Sequence, residues 1–303
     1  MQRSSCLVVR MEVPRVLGFE RTGGNDEMPA NRDVNHCEPN YCADRLQADQ
    51  LRWICIDSER ITHMKALQMK RMPGKTFSLS IGADGSVWHI GTNSTGAGLG
   101  IYRWKGGDWE QVEGAGVGIA VGPTGEPWSW NLYGEIYRQK GKTWHQMPGI
   151  ARYIAIGADG SVWRVGLQET YYTGYGLYRW CSDNWEQVAG AAMGIAVAPD
   201  GTPWHWNSVG EIYKMEGETW RQMPGLAIHL AIGADGSIWH IGTDQRGETG
   251  SGIYRWHKGA WEQVDGAAIG IAVGPTGVPW CWTAHGDMYK AIYLAQPGDE
   301  ECH

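Results

Sequence analysis

The run IGADGSVW occupies Ile81 to Trp88, returns as Ile156 to Trp163, and returns again from Ile232 to Trp239 with Ile238 in place of Val162. A blunter version, VGPTGEPW from Val121 to Trp128, alternates with it and recurs as VAPDGTPW (Val197 to Trp204) and VGPTGVPW (Val273 to Trp280). Six copies at a steady spacing define a repeat protein, whose units bury apolar surface only against their neighbours. In each copy apolar residues enter a Gly-containing turn, such as Asp84-Gly85, and a second apolar stretch leaves it, which is the pattern of a β-hairpin. Pro123, Pro199 and Pro275 fall where a turn begins and not within a strand.

The copies run in pairs: a long one over 75–115 and a short one over 116–149, then 150–190 and 191–225, then 226–266 and 267–298. Each reads as four short antiparallel strands, in the first short copy Gly118 to Gly122, Glu126 to Asn131, Gly134 to Gln139, and Lys142 to Met147. A second-strand Trp recurs six times (Trp88, Trp128, Trp163, Trp204, Trp239, Trp280) and so does a third-strand Tyr (Tyr102, Tyr137, Tyr178, Tyr213, Tyr254, Tyr289). The fourth-strand Trp is found five times, at Trp109, Trp144, Trp185, Trp220 and Trp261, because the last copy ends without a fourth strand. Met64 to Gly74, in front of the first copy, resembles the segments that close the other copies. A lone four-stranded sheet cannot cover both of its faces, so units of this size stack around an axis. The expectation is all-β: a six-bladed β-propeller over 64–298, its last blade closed by an N-terminal strand, with Met69 in the Trp slot.

Composition narrows the function. The chain has 18 Trp and 13 Tyr against 2 Phe, aromatics with a polar handle held at fixed slots, and its 44 Gly suit frequent turns. A net charge of −7 without a Lys/Arg run argues against nucleic acid or an anionic membrane as partner. No apolar stretch approaches the roughly 18 residues of a spanning helix. Leu7 to Val9, between Arg3 and Arg10, is too short for a secretory signal, so a cytoplasmic or non-classically secreted protein is expected. Residues 1–63 lack a sustained period and read as a poorly ordered extension, with Trp53 to Ile56 as one short strand, and 299–303 read as a tail. His36, Cys37, Cys42 and Cys55 have C-x4-C spacing without a second close pair, so neither a metal nor a cofactor is expected.

With these slots in view, the repeat resembles the tectonin (TECPR-type) β-propeller family. The pieces that carry the likeness are AIGADGSVW (Ala155 to Trp163), GEIYR (Gly134 to Arg138), WHQMPG (Trp144 to Gly149) and WEQVEG (Trp109 to Gly114). It is most similar to the lectin branch, that of tachylectin-1, fish-egg lectins and fungal tectonins. That branch implies a multivalent carbohydrate-binding protein, often of innate immunity. Its ligands are cell-surface or microbial glycans, such as bacterial lipopolysaccharide, N-acetylglucosamine-type and O-methylated sugars. Larger tectonin-repeat proteins imply the alternative, a protein-interaction scaffold without glycan specificity.

Polar residues here mostly recur with the repeat, as Arg103, Arg179 and Arg255 or Glu110, Glu186 and Glu262 do, whereas catalysis needs unique residues converging on one pocket. No enzyme is expected. A sugar needs a flat aromatic and nearby amides or carboxylates. Two places offer these. The link between second and third strands is short in the even copies (Asn131 to Gly134) and long in the odd ones (Thr92 to Gly100, Leu167 to Gly176, Thr243 to Gly252). The long links differ in sequence and supply Asn93, Tyr172 and Asp244 as candidates. The second place is Trp130-Asn131, repeated as Trp206-Asn207 and Trp282-Thr283. Period-2 alternation leaves these Trp as either a wedge in the core or a platform for a ligand. His89, His205 and His240, on the other side of that strand, read as residues packed between blades.

Overall fold

The computed structural model describes residues 67–293, apart from Ala97, Tyr171 and Tyr172. The readings made for the N-terminal extension, its short strand, its His/Cys group and the C-terminal tail lie outside the described residues.

Every described element is a strand. β1 (Leu67–Lys75) comes first in the chain. One sheet holds β2 (Ser78–Ile81), β3 (Val87–Ser94), β4 (Leu99–Lys105) and β5 (Asp108–Gly116), and the next holds β6 (Gly118–Val121), β7 (Pro127–Trp130), β8 (Glu135–Lys140) and β9 (Thr143–Ile150). A third holds β10 (Tyr153–Ile156), β11 (Val162–Thr170), β12 (Gly174–Cys181) and β13 (Asn184–Ala192). β14 (Gly194–Val197), β15 (Pro203–Trp206), β16 (Glu211–Glu216), β17 (Thr219–Ile232), β18 (Ile238–Gln245), β19 (Ser251–His257) and β20 (Ala260–Ala268) form one seven-stranded sheet in sequence order. The last sheet holds β21 (Gly270–Val273), β22 (Pro279–Trp282) and β23 (Asp287–Tyr293), and its fourth strand is β1. The chain is therefore an all-β propeller of antiparallel four-stranded blades, four of them discrete.

The seven-stranded sheet departs from the expected separation into fours. β17 pairs with β16 from Thr219 to Leu226 and with β18 from Ala227 to Ile232, with a register shift between Ala227 and His229. At the matching crossing after β9 the chain bends at Ala151-Arg152, whereas Ala227-Ile228 stays extended and fuses the two groups. The innermost strands touch in succession, β2 to β6, β10, β14, β17 and β21, and β21 returns to β2. The inner edge of the fold is thus a closed circuit.

The borrowed strand is present. β1 lies antiparallel to β23 with Leu67 opposite Tyr293 and Arg71 opposite Tyr289. Met69 faces Ala291 in the register in which Trp109 faces Trp104 and Trp144 faces Gln139. Those fourth-strand Trp residues clamp each outer strand to the one before it. The indole Nε1 of Trp109 donates to the Pro73 carbonyl (2.8 Å), Trp144 to Glu113 (2.7 Å), Trp185 to Pro148 (2.7 Å), Trp220 to Ala189 (2.6 Å) and Trp261 to Pro224 (2.6 Å). Repeat equivalence makes Asp265 the sixth such carbonyl, and Met69 offers it no donor. We expect Met69→Trp to supply the missing clamp, adding about 1 kcal/mol and raising Tm by roughly 2–4 °C in a thermal melt. An unchanged or lower Tm would mean the slot has no room for the ring.

Two ends of the propeller differ. Turns joining first to second strands, such as Gly82 to Ser86 with Gly85 at φ 84°, gather at one end. Links from second to third strands, and crossings from one outer strand to the next inner strand, gather at the other. The even links and the crossings that follow them are tied by three equivalent backbone bonds, in which Ala151, Ala227 and Thr76 N–H donate to Gly134, Gly210 and Gly286 carbonyls, each at 2.8 Å.

Candidate recognition face

Trp130, Trp206 and Trp282 prove to be core. They are 6 %, 4 % and 4 % exposed, and each indole lies against a glycine across the register: Gly118, Gly194 and Gly270. A Cβ on those glycines would fall 1.9, 2.1 and 2.0 Å from the ring, so the glycine is what makes room for the indole. These rings offer no face to a sugar, and the platform reading is corrected to the wedge.

Asn131 and Asn207 are turn residues. Asn131 Oδ1 accepts from the Tyr133 and Glu135 N–H groups, both at 3.0 Å, while its Nδ2 donates to Glu135 Oε2 at 2.7 Å. Asn207 repeats the arrangement with Val209, Glu211 and the Glu211 carboxylate at 3.1, 2.9 and 2.8 Å. An Asx-turn explains an amide at this position, and it uses the groups a sugar would need. Hydrogen bonds from Asn207 and then Tyr213 hold the Glu211 carboxyl below the usual range. We expect Asn207→Ala to cost about 1–3 kcal/mol of stability, measured by urea unfolding, while leaving ligand affinity intact. A loss of affinity at full stability would restore it as a contact residue.

The other candidates sit in the long links, which are more ordered than expected. β3, β11 and β18 each continue past a register shift and pair again with the third strand, as in Ser94↔Leu99, Thr170↔Gly174 and Gln245↔Ser251. The links are hairpin arms and not open loops. Asn93 is exposed on the first arm. Tyr172 lies outside the described residues. Asp244 is exposed on the third arm, where its Oδ2 accepts from Arg246 Nε (2.9 Å) and Tyr254 Oη (3.0 Å). Partial burial works against its ionisation, but these two donors hold its pKa below the usual value.

Sequence reasoning passed over the even links as too short. Yet Tyr133 is 72 % exposed in one of them, and Phe77 is 57 % exposed in a crossing. The large apolar side chains that stand exposed among the described residues are these two with Leu132, Ile150, Leu167, Val209, Leu226, Ile228 and Ile269. All nine belong to links or crossings at the same end of the propeller. All but Ile269, which stands on the crossing between β20 and β21, fall around the three tied junctions, each of which also carries a polar group. Tyr133 and Ile150 belong to the junction of Arg152, whose guanidinium stacks on Tyr175 at 4.8 Å. Val209 and Ile228 belong to the junction of Asp244 and Arg246, and Phe77 to that of Asn93. The variation of Leu132-Tyr133 into Ser208-Val209 and Ala284-His285 on one fixed turn was the available signal.

The recurring polar residues pair with one another: Arg103 with Glu110 at 2.9 Å, Arg179 with Glu186 and Arg255 with Glu262, both at 3.1 Å. Arg103 and Arg255 also cover Trp88 and Trp239 across the strand, at 5.5 and 5.8 Å, within their own units. The histidines combine contacts within a unit with packing against the neighbouring one: a Cβ on Gly225, in the unit before, would stand 3.4 Å from His240 Cε1. His89, His205 and His240 contact the Tyr and Trp of their own unit, His89 with Tyr102 and Trp109 at 4.9 and 4.1 Å. Among the described residues no group of three or more His, Cys, Asp or Glu could hold a metal ion.

A closed inner circuit of repeated antiparallel units, with one variable and partly apolar end, defines a β-propeller repeat protein. The chain belongs to the tectonin family: the tectonin domain matches residues 48–217 and 201–294. No curated protein matches it. Among solved structures it is similar to streptogramin B lyase, at 14% identity and TM-score 0.52 over 75% of this chain and 98% of that one. It is likewise similar to the WD40 β-propeller domain of Doa1 (12%, 0.52, 76% and 98%) and to a structural-genomics protein of Bacteroides thetaiotaomicron (10%, 0.53, 74% and 72%). Likeness at this identity is one of fold alone. Among the described residues no helix is long and apolar enough to cross a membrane.

Proposed function

We propose that the chain is a six-bladed, non-catalytic tectonin propeller that acts as a multivalent lectin. The count of six is supported by the closed circuit of inner strands and by β17, whose two halves each complete a set of four. Glycan recognition belongs to the three tied junctions. The observation that carries it is the recurrence, at equivalent places, of an exposed ring or aliphatic group together with a polar one: Tyr133 in the junction of Arg152, Phe77 in that of Asn93. An exposed ring covers the apolar face of a pyranose and the polar group takes its hydroxyls. Three shallow sites on one face gain about 10²–10⁴ in avidity on a dense glycan surface. N-acetylglucosamine-type, O-methylated and lipopolysaccharide sugars are the first to test.

A second reading is favoured by a specific observation. Nine exposed apolar residues on one end is more than scattered surface hydrophobicity, and such patches dock proteins. In that case the propeller is a scaffold. A glycan array probed with the full chain, Tyr133→Ala and Phe77→Ala separates the two. The lectin reading expects binding that falls at least tenfold in each variant. No binding to any sugar or microbial polysaccharide would leave the scaffold.

A further inference from the structure

Three equivalent positions at the start of the odd inner strands carry different residues: Ser78, Tyr153 and His229. They meet at the axis, at the recognition end, together with the even Trp residues. Tyr153 lies 5.9 Å from Trp130 and 5.5 Å from Trp206, and His229 lies 5.5 Å from Trp206 and 5.3 Å from Trp282. The Tyr153 hydroxyl and His229 Nε2 share a hydrogen bond of 3.0 Å across the axis. Below them is an axial cavity of about 90 Å³, lined by Ala155, Ala231 and the other inner-strand residues. Tyr153 and His229 fill two of the three positions, and Ser78 leaves the third small.

His229 Nδ1 is buried and has no hydrogen-bond partner. No carboxylate stands near to receive a charge. The titratable groups on the strands around it are Tyr153 on β10, His205 on β15, His240 and Asp244 on β18, and Cys281 on β22, while Glu211, Tyr213, Lys214 and Glu216 on β16 lie opposite Thr219 to Leu226, in the other half of β17. His205, His240 and Cys281 alternate with Trp206, Ile241 and Trp282 and so point to the other side of their strands. Asp244 is exposed and already holds Arg246 and Tyr254. On β17 itself the other ion, Arg221, pairs with Glu216. Lys and Arg are absent from the cavity lining.

His229 differs from the other buried histidines in where its ring can go. His89, His205 and His240 are enclosed between Tyr and Trp, at 2–3 % exposure. His229 stands half-buried at the inner edge, held there by the Tyr153 hydroxyl, so rotation about χ1 can carry its ring out of the channel mouth without breaking a ladder bond. We propose that the Tyr153–His229 pair is an acid-sensitive latch that shuts the axial channel at the recognition end, and that protonation of His229 opens it while the blades stay folded. This names a regulation of the face assigned above and rests on that reading only for its consequence in binding.

The test is an NMR titration of the full chain from pH 7.5 to 4, following the His229 ring, the Tyr153 ring and the Ala155 and Ala231 methyl groups with a soluble nitroxide present. The latch expects His229 to titrate above the other three buried histidines, the Tyr153 signals to move with the same midpoint, and nitroxide broadening of both methyls to rise at least threefold while backbone amides keep their native positions. His229→Phe should remove all three changes; should that variant not fold, His229→Gln, which does not titrate either, should do the same. Broadening that begins only when the amide signals collapse, or that rises equally in the variant, overturns the proposal. Glycan binding at pH 7.5 and 5 adds a separate arm. A latch that titrates while no glycan binds at either pH overturns the lectin reading and leaves the latch standing.

Discussion

Acidification from pH 6.5 to 4 should remove most of the stability of this propeller. His89, His205 and His240, enclosed between Tyr and Trp, are each pushed down to about 4, chiefly because burial disfavours the charged ring. In the unfolded chain they titrate near 6.5. Between those values the unfolded state binds more protons, so stability rises with pH across the window and falls as acid is added. Each histidine contributes about 3 kcal/mol at the acid end, and the three together about 9 kcal/mol, against a typical domain stability of about 5–15. Thermal melts at pH 7.5, 6, 5 and 4.5 should show Tm falling by roughly 15 °C or more. His205→Phe keeps a ring between Tyr213 and Trp220 but cannot charge, so its curve should be flatter. A Tm that holds within about 2 °C down to pH 4.5 would refute the assignment.

Removing β1 should be the most damaging truncation. Deleting residues 1–75 exposes the outer edge of β23 and takes away the Pro73 carbonyl that the Trp109 indole holds. It also removes Arg71 and Lys75 from Asp287 (2.7 and 3.6 Å) and uncovers Met288, which Met72 helps bury. Several kcal/mol are lost, of the order of an entire small domain's margin, and aggregation through the bare edge is the expected result. Deleting 1–60 touches none of these contacts and should melt like the full chain. Equal melting temperatures for the two truncations would refute the closure. The measurement is differential scanning calorimetry on both.

The repeat, the strand order and the borrowed strand could all be read from spacing, because six filled slots and one missing Trp leave little freedom. The fused β17 could not, since it depends on whether Ala227-Ile228 bends, and no turn residue marks the difference. The site was read less well. Alternation assigns a Trp to a side of its strand but not to core or surface, so Trp130 stayed open. A partner strand would have decided it. In even units Gly118, Gly194 and Gly270 stand opposite Trp, whereas in odd units Ser78, Tyr153 and His229 stand opposite Ile90, Val165 and Ile241. Small against large in one set and larger against aliphatic in the other is the signature of packing. Asn131 with Glu135, and Asn207 with Glu211, likewise share a four-residue spacing that encodes a self-contained turn. Tyr133 was missed because a short link was taken for an inert one.

The way the ring is sealed also sets an order of events during synthesis. β1 leaves the ribosome before any other described strand, yet its partner β23 is the last to emerge. A nascent chain therefore carries β1 unmated until β23 has been made, and the circle cannot close before then. Once it has closed, Leu67 and Tyr293 lie side by side, so that a short tether between those points and a cut in a turn between two other strands would give a rearranged chain with the same fold.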